Sequence, residues 1–359
     1  MVPIDSTISE CSVSSSSATV RRLTPIWQSL LCRSSIGVND NFFSLGGNFQ
    51  TADLLFAEIA QKQGRELPSA TIFHAPTLAA LASVLEQPVL APFSPFVQLK
   101  GGGQKPPILI AHGLSGLASF SGLAKRIQTE CPIYGIQAKG VDGLEEPFDR
   151  IEDMAQFYVK ALHERQFQAP YILIGYSFGG LVALEMAQIL SRSQKQVGLL
   201  VLVDAYPHPH YLSAGQRLRL AAQRASRHIS EMKQRPIRGA LSYLIRGVER
   251  RLRMAGVHGG EKSPEGSRLS LAQTTLHVKD RSYVALARYR PRAYSGEIKF
   301  VKSASDTYFP GNPVPVWANL ARTFEVEIVP GNHLNMVTTH FEGLAAVLNR
   351  YVREALPQE

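Results

Sequence analysis

One stretch constrains this chain more than any other: Gly175-Tyr176-Ser177-Phe178-Gly179-Gly180, set between the apolar run YILIG and the helical run LVALEMAQIL. A strand that turns this sharply into a helix brings the two backbones so close that a Cβ on either side of the turn would clash. The turn lifts the Ser177 hydroxyl clear of the sheet and places it at a helix N-terminus, where unpaired N–H groups favour developing negative charge. The plain alternative is an ordinary Gly-rich turn, and the strand before it and the helix after it both weigh against that reading.

The surrounding pattern agrees with a sheet wrapped in helices. ILIAHG, PIYGIQA, YILIGYS, GLLVLVDA, EIKFVKS and FEVEIVPG are short, strongly apolar or β-branched runs, and helical stretches separate most of them. Near-continuous apolar runs alternating with helices predict a parallel sheet covered on both faces. From Tyr206 to about Arg281 the rhythm stops, and only helical and Gly-rich segments follow, as expected of a lid over the strand ends.

A serine hydroxyl is a weak nucleophile until a base takes its proton. His333, in VPGNHLNM directly after the run FEVEIV, stands on a predicted loop where it can reach a residue at a strand end. His340, on the following helix, is its nearest competitor. Two acids can orient the imidazole: Asp204 ends GLLVLVD and Asp306 follows FVKSAS, and both keep the order Ser, acid, His. Either could instead be a turn residue. The oxyanion formed on attack calls for two backbone donors, expected from Phe178 and, in the loop HGLSG, from Leu114. Such a hole is worth roughly 3 kcal/mol per donor.

Before residue 105 the pattern differs. Pro25 suits the first turn of a helix begun at Thr24, Gly64 suits the end of a helix through Ala52, Leu55 and Ile59, and Pro76-Thr77 opens the short helix LAALASVL. These predict a small all-α unit over residues 21–87. Residues 1–20, rich in Ser and Thr without the apolar core of a secretory signal, are expected to form a flexible tail, and residues 88–104 a Pro- and Gly-bearing linker. Residues 105–357 then form the larger unit, with the lid at about 206–281.

Composition narrows the classes. The formal charge is +9, and the stretch from Arg217 to Arg253 alone holds eleven Lys and Arg against Glu231 and Glu249. A nucleic-acid binder usually adds a recognisable module or interleaved aromatics, and this stretch offers mainly helix-forming residues and Arg. The same stretch can attract phosphate groups, or it can be a solvated helix face. Cys11, Cys32 and Cys131 lack metal-ligand spacing and suit a reducing compartment. No apolar run reaches the roughly 18 to 20 residues of a bilayer span. A cytoplasmic location without nucleic acid, membrane or metal is the expectation.

The segment from about Lys105 to Leu356 resembles the type I thioesterase domain of nonribosomal peptide and polyketide synthases, on the strength of HGLSG, GYSFGG, LLVLVDAYP and GNHLNM. The resemblance implies an α/β-hydrolase fold with a mostly parallel sheet and a helical lid. It also places the acid after the strand that follows the nucleophile helix, which favours Asp204 over Asp306. The preceding unit is similar to a four-helix peptidyl carrier domain, through DNFFSLGG and ELPSATIFHAPTLAAL. In that family a Ser two residues after the Gly pair carries phosphopantetheine; here the aligned residue is Phe49, which has no hydroxyl. The resemblance therefore implies no covalent cofactor at that position, with Ser44 or Thr51 as alternatives, and a phosphopantetheine-borne substrate delivered in trans.

The expected function is a thioesterase that releases an acyl or peptidyl chain from a carrier protein, a synthase module or coenzyme A through an acyl-Ser177 intermediate. Two rivals stand beside it: a carboxylesterase or lipase on the same fold, and a non-catalytic adaptor that docks on a synthase.

Overall fold

The computed structural model describes residues 8–87, 93–103, 105–114, 116–117, 120–207, 212–215, 217–218, 221–222, 270–305 and 312–356. Most of the expected lid and of the basic stretch, together with Asp306, lies outside the described residues. The chain folds as two units. The first comprises residues 1–94, 139–147 and 263–277, and the second comprises 95–138, 148–262 and 278–359.

The first unit is built on helices α1 (Ile8–Leu31), α2 (Phe49–Gln63), α3 (Thr71–His74) and α4 (Leu78–Glu86). Their apolar faces supply Leu23, Trp27, Leu55, Ile59, Leu78 and Leu81, all fully buried, and Phe42 meets the Trp27 ring edge-on at 5.1 Å. Each buried side chain of this size contributes about 1.5–3 kcal/mol, which lets so small a unit hold together. Gly64 ends α2 in the left-handed conformation at φ 63°, and Thr77 caps α4 by accepting the Ala80 N–H at 3.1 Å.

Pro25 departs from expectation. It lies inside α1, not at its start, and α1 reaches back to Ile8 within the segment read as a tail. Proline can donate nothing to the carbonyl four residues earlier. One turn of the same helix is reinforced instead by the Thr24 hydroxyl, which donates to the Val20 carbonyl at 2.8 Å. Leu271, from a distant part of the sequence, completes the core of this unit: its side chain is buried among the helices and its N–H donates to Asp53 Oδ1 at 2.8 Å.

The second unit holds a seven-stranded sheet: β1 (Phe96–Lys100), β2 (Ile108–Ala111), β3 (Ile133–Ile136), β4 (Tyr171–Tyr176), β5 (Val197–Val203), β6 (Tyr294–Ser303) and β7 (Ala321–Val329), in the order β1-β3-β2-β4-β5-β6-β7. All pairings are parallel except that of β1 with β3. Strand β1 falls in the stretch read as a linker; its five residues FVQLK are too short a pattern to stand out beside neighbouring Pro and Gly.

Helices α5 (Ser121–Arg126), α6 (Ile151–Glu164), α7 (Phe178–Arg192), α8 (Leu271–Arg288), α9 (Val314–Trp317) and α10 (Phe341–Ala355) follow in chain order. The central strands alternate between two cores, as a pleat requires. Leu109, Ala111, Leu173, Leu200 and Leu202 pack with α6 and α7. Ile108, Ile110, Ile172, Ile174, Val201 and Val203 pack with α5 and α10. Burial on both faces explains why these strands read as unbroken apolar runs and fixes their register, because a one-residue slip would exchange the two cores. The carboxyl ends of β2, β4, β5 and β6 emerge side by side at one edge of the sheet, and ligands of open α/β sheets bind at that edge.

Candidate active site

Ser177 follows β4 directly and precedes α7 at φ 54°, a left-handed conformation that costs a non-glycine residue of order 1–3 kcal/mol. The surroundings hold it there. Its N–H donates to the Val203 carbonyl of β5 at 2.8 Å, and its own carbonyl accepts the Gly180 N–H at 3.0 Å. The flanking glycines are sterically required: a Cβ on Gly175 would come within 2.5 Å of the Gly179 oxygen, and one on Gly179 would collide with the carbonyl oxygens of Ala111 and His112.

The loop after β2 packs against this turn. A Cβ on Gly113 would stand 3.1 Å from the Ser177 Cβ and equally close to the Tyr176 ring. Leu114 is the next residue of that loop, and Phe178 is the first residue of α7, so the two expected oxyanion donors belong to backbone on either side of this close approach. His112 opens the loop, with its Nδ1 against the Gly113 carbonyl. Desolvation by the surrounding protein holds its pKa below the usual histidine range, against the smaller upward pull of that carbonyl.

His333 is buried after β7, in a turn organised by asparagines. Asn332 Oδ1 accepts the N–H groups of Leu334 and Asn335 at 2.9 and 3.0 Å, and Asn335 Oδ1 accepts the Asn332 N–H at 2.6 Å. Gly331 enters this turn at φ 101°, where a side chain would also meet Asn335. The His333 ring stacks on the Tyr176 ring, with centroids 5.0 Å apart and planes 20° from parallel, and the Tyr176 hydroxyl donates to the His333 carbonyl. Through Tyr176, the residue immediately before Ser177 is thus tied to the histidine 157 positions later.

Asp204 lies one residue beyond β5, buried and at φ 45°. Its Oδ2 is 3.2 Å from His333 Nδ1. Of the expected trio, Asp204 and His333 thus meet beyond the ends of β5 and β7, on either side of β6, while Ser177 follows β4 next to β5 and is joined to His333 through its neighbour Tyr176. His340 is elsewhere in its bonding: it precedes α10, exposed, with Nδ1 3.0 Å from the Thr339 hydroxyl. Sequence reasoning passes over two neighbours of the trio. Tyr176 occupies the variable position of the Ser motif, and Ser303 ends β6, where it contacts Asp204; the only signal for either is nearness to a strand end.

The start of α2 has a different chemistry. Asn48 caps it by accepting the N–H groups of Gln50 and Thr51 at 2.9 and 3.1 Å, and the Thr51 hydroxyl in return accepts the Asn48 N–H at 2.8 Å. Phe49, at the position expected to carry an attachment hydroxyl, is the first helical residue, and the Thr51 hydroxyl bonds within the cap. Among the described residues no group of three or more His, Cys, Asp or Glu could hold a metal ion, and no helix is long and apolar enough to cross a membrane.

Comparison with known proteins identifies what the two parts of the chain are similar to. A model described as "Thioesterase domain" matches residues 106–351, and one described as "Phosphopantetheine attachment site" matches residues 21–85. Malpibaldin synthetase from Mortierella alpina is 30% identical over 285 residues, covering 78% of this chain and 5% of that protein. A dimodular nonribosomal peptide synthase from Bacillus subtilis (strain 168) is 38% identical over 192 residues, 53% of this chain and 8% of the synthase. The chain thus spans less than a tenth of the length of these relatives. Among solved structures, a four-domain nonribosomal peptide synthetase bound to AMP and glycine aligns over 95% of this chain and 26% of that one, with a TM-score of 0.53 and 22% identity. YbtT, a type II thioesterase from the yersiniabactin pathway, aligns over 74% of this chain and all of its own, with a TM-score of 0.51 and 14% identity, a likeness of fold. The α/β fold, the elbow and the match over residues 106–351 lead to one conclusion: this chain belongs to the thioesterase domain family.

Proposed function

We propose that this thioesterase releases an acyl or peptidyl chain by way of an acyl-Ser177 intermediate. His333 takes the Ser177 proton as the hydroxyl oxygen attacks the thioester carbonyl, and returns it to the departing thiolate. Water, or a nucleophile within the acyl chain, then attacks the acyl-enzyme with His333 again as base, giving an acid or a cyclic product. Asp204 keeps its charge throughout, fixes the imidazole so that Nε2 faces the serine, and stabilises the imidazolium. The N–H groups of Phe178 and Leu114 receive the oxyanion.

One observation carries the reading: a buried carboxylate is bonded to an imidazole whose own backbone is fastened to the residue preceding the strained serine. The synthetase relatives support a thioester borne on a phosphopantetheine arm as the substrate. That arm belongs to another carrier or module, or to coenzyme A, because Phe49 offers no hydroxyl for one in cis. The carrier-like unit then acts as a docking module toward the synthase. A cytoplasmic site of action accords with such a partner.

The test is intact-protein mass spectrometry after exposure to paired short acyl thioesters and oxygen esters. An acyl adduct located on Ser177, formed faster from the thioester and lost in S177A, is the expected result. Equal or faster acylation by the oxygen ester would favour the carboxylesterase reading. Absence of any adduct, and of fluorophosphonate labelling, would leave the adaptor reading.

A further inference from the structure

We infer that Ser303 is a positioning residue for the proposed reaction: it aims the Asp204 carboxylate at His333. The inference rests on the catalytic reading of Ser177, Asp204 and His333 and adds a fourth side chain to it.

The carboxylate of Asp204 has three named donors, and two come from one residue. The Ser303 N–H donates to Oδ1 at 3.1 Å, the Ser303 hydroxyl donates to Oδ2 at 2.6 Å, and His333 Nδ1 stands 3.2 Å from that same Oδ2. Ser303 and Asp204 are both buried, so water does not compete for these oxygens. The serine hydroxyl has one proton and a second oxygen in range, the Ser305 carbonyl at 3.4 Å. The shorter bond to an ionised acceptor takes the proton, since charge-assisted bonds are about twice as strong as neutral ones.

Two donors from one rigid strand end act as a fork. A carboxylate held at a single oxygen can still rotate about its Cβ–Cγ bond, whereas one held at both oxygens cannot. The backbone that carries Asp204 is itself in the left-handed region, at φ 45°, and its N–H is fixed to the Val301 carbonyl of β6 at 2.8 Å. Strand β6 therefore grips both the backbone and the side chain of the acid. The Ser303 N–H takes Oδ1, and the Ser303 hydroxyl sets the angle at which Oδ2, the oxygen it shares with the imidazole, meets His333 Nδ1.

The hydroxyl is the removable part of this fork, because the N–H survives any substitution except proline. Three forms of the full chain test it: wild type, S303A and S303T, each labelled to completion with a fluorophosphonate, with the rate and the final fraction of labelled Ser177 read separately. The expected result is an S303A rate lower by about tenfold, the loss of one charge-assisted bond, with full final labelling. Thioester kcat falls in parallel while KM stays within twofold. S303T, which keeps the hydroxyl, recovers most of the rate. Full final labelling at a lower rate separates misaimed catalysis from loss of folded protein.

If S303A fails to fold, S303C replaces it, with similar volume and only a weak donor. A hydroxyl-free variant that labels within twofold of wild type overturns the role of Ser303 and leaves the thioesterase reading intact. A wild-type chain that does not label at all overturns both.

Discussion

Helices α7 and α2 both begin where their families place the reacting group, and they begin in opposite ways. Helix α7 starts from Ser177 at φ 54°, with no side chain capping its first turn, and the strain is held by the bond to Val203 and by glycines that leave no room for a Cβ. Helix α2 starts from Asn48 in relaxed extended geometry, at φ −138°, with a reciprocal capping box and Phe49 as its first residue. Strain persists where the surroundings over-determine it, and it collects at sites of chemistry. A fully satisfied cap has no free hydroxyl. On the proposed reading, one helix start is kept for reaction and the other as structure.

The widest gap the comparison predicts is all-or-none. Incubated with a phosphopantetheinyl transferase and coenzyme A, the wild-type chain stays at its unmodified mass, while F49S gains the arm on residue 49. A wild-type mass gain mapped to Ser44 or Thr51 would break the contrast, and an F49S chain that stays unmodified would show that the cap geometry, not only the missing hydroxyl, blocks attachment. Next in size, G179A pushes a methyl into the carbonyls of Ala111 and His112. Fluorophosphonate labelling of Ser177 is expected to fall by about a hundredfold or more, with stability lowered by roughly 1–3 kcal/mol on denaturant unfolding. The smallest effect belongs to N48A, which removes the cap of α2. It should cost the first unit about 1 kcal/mol and leave the labelling rate of Ser177 unchanged.

Much of this was legible in the residues, for reasons that also explain what was not. The elbow could be read because its constraint is local: strand, glycines and helix are contiguous. The central strands could be read because burial on both faces removes polar residues from them. His333 could be placed through the turn residues Gly331 and Asn332, but its bond to Asp204 spans 129 positions and no short pattern encodes it. Ser303 was invisible for the same reason: a serine at a strand end looks like any other until the neighbouring strand brings an aspartate to it. Strand β1 was hidden by its five-residue length, and Pro25 misled because a helix can tolerate a proline inside it when tertiary packing holds the rest.

Leu271 has a practical bearing on any attempt to trim this chain. Its side chain is 2% exposed and its N–H is taken by Asp53, both through helices that belong to the first 94 residues. Cutting away that N-terminal portion would strip a greasy residue of its cover and orphan an amide at the head of α8. The remainder should be stickier than the whole, and a shortened version would be better behaved with a polar side chain at position 271.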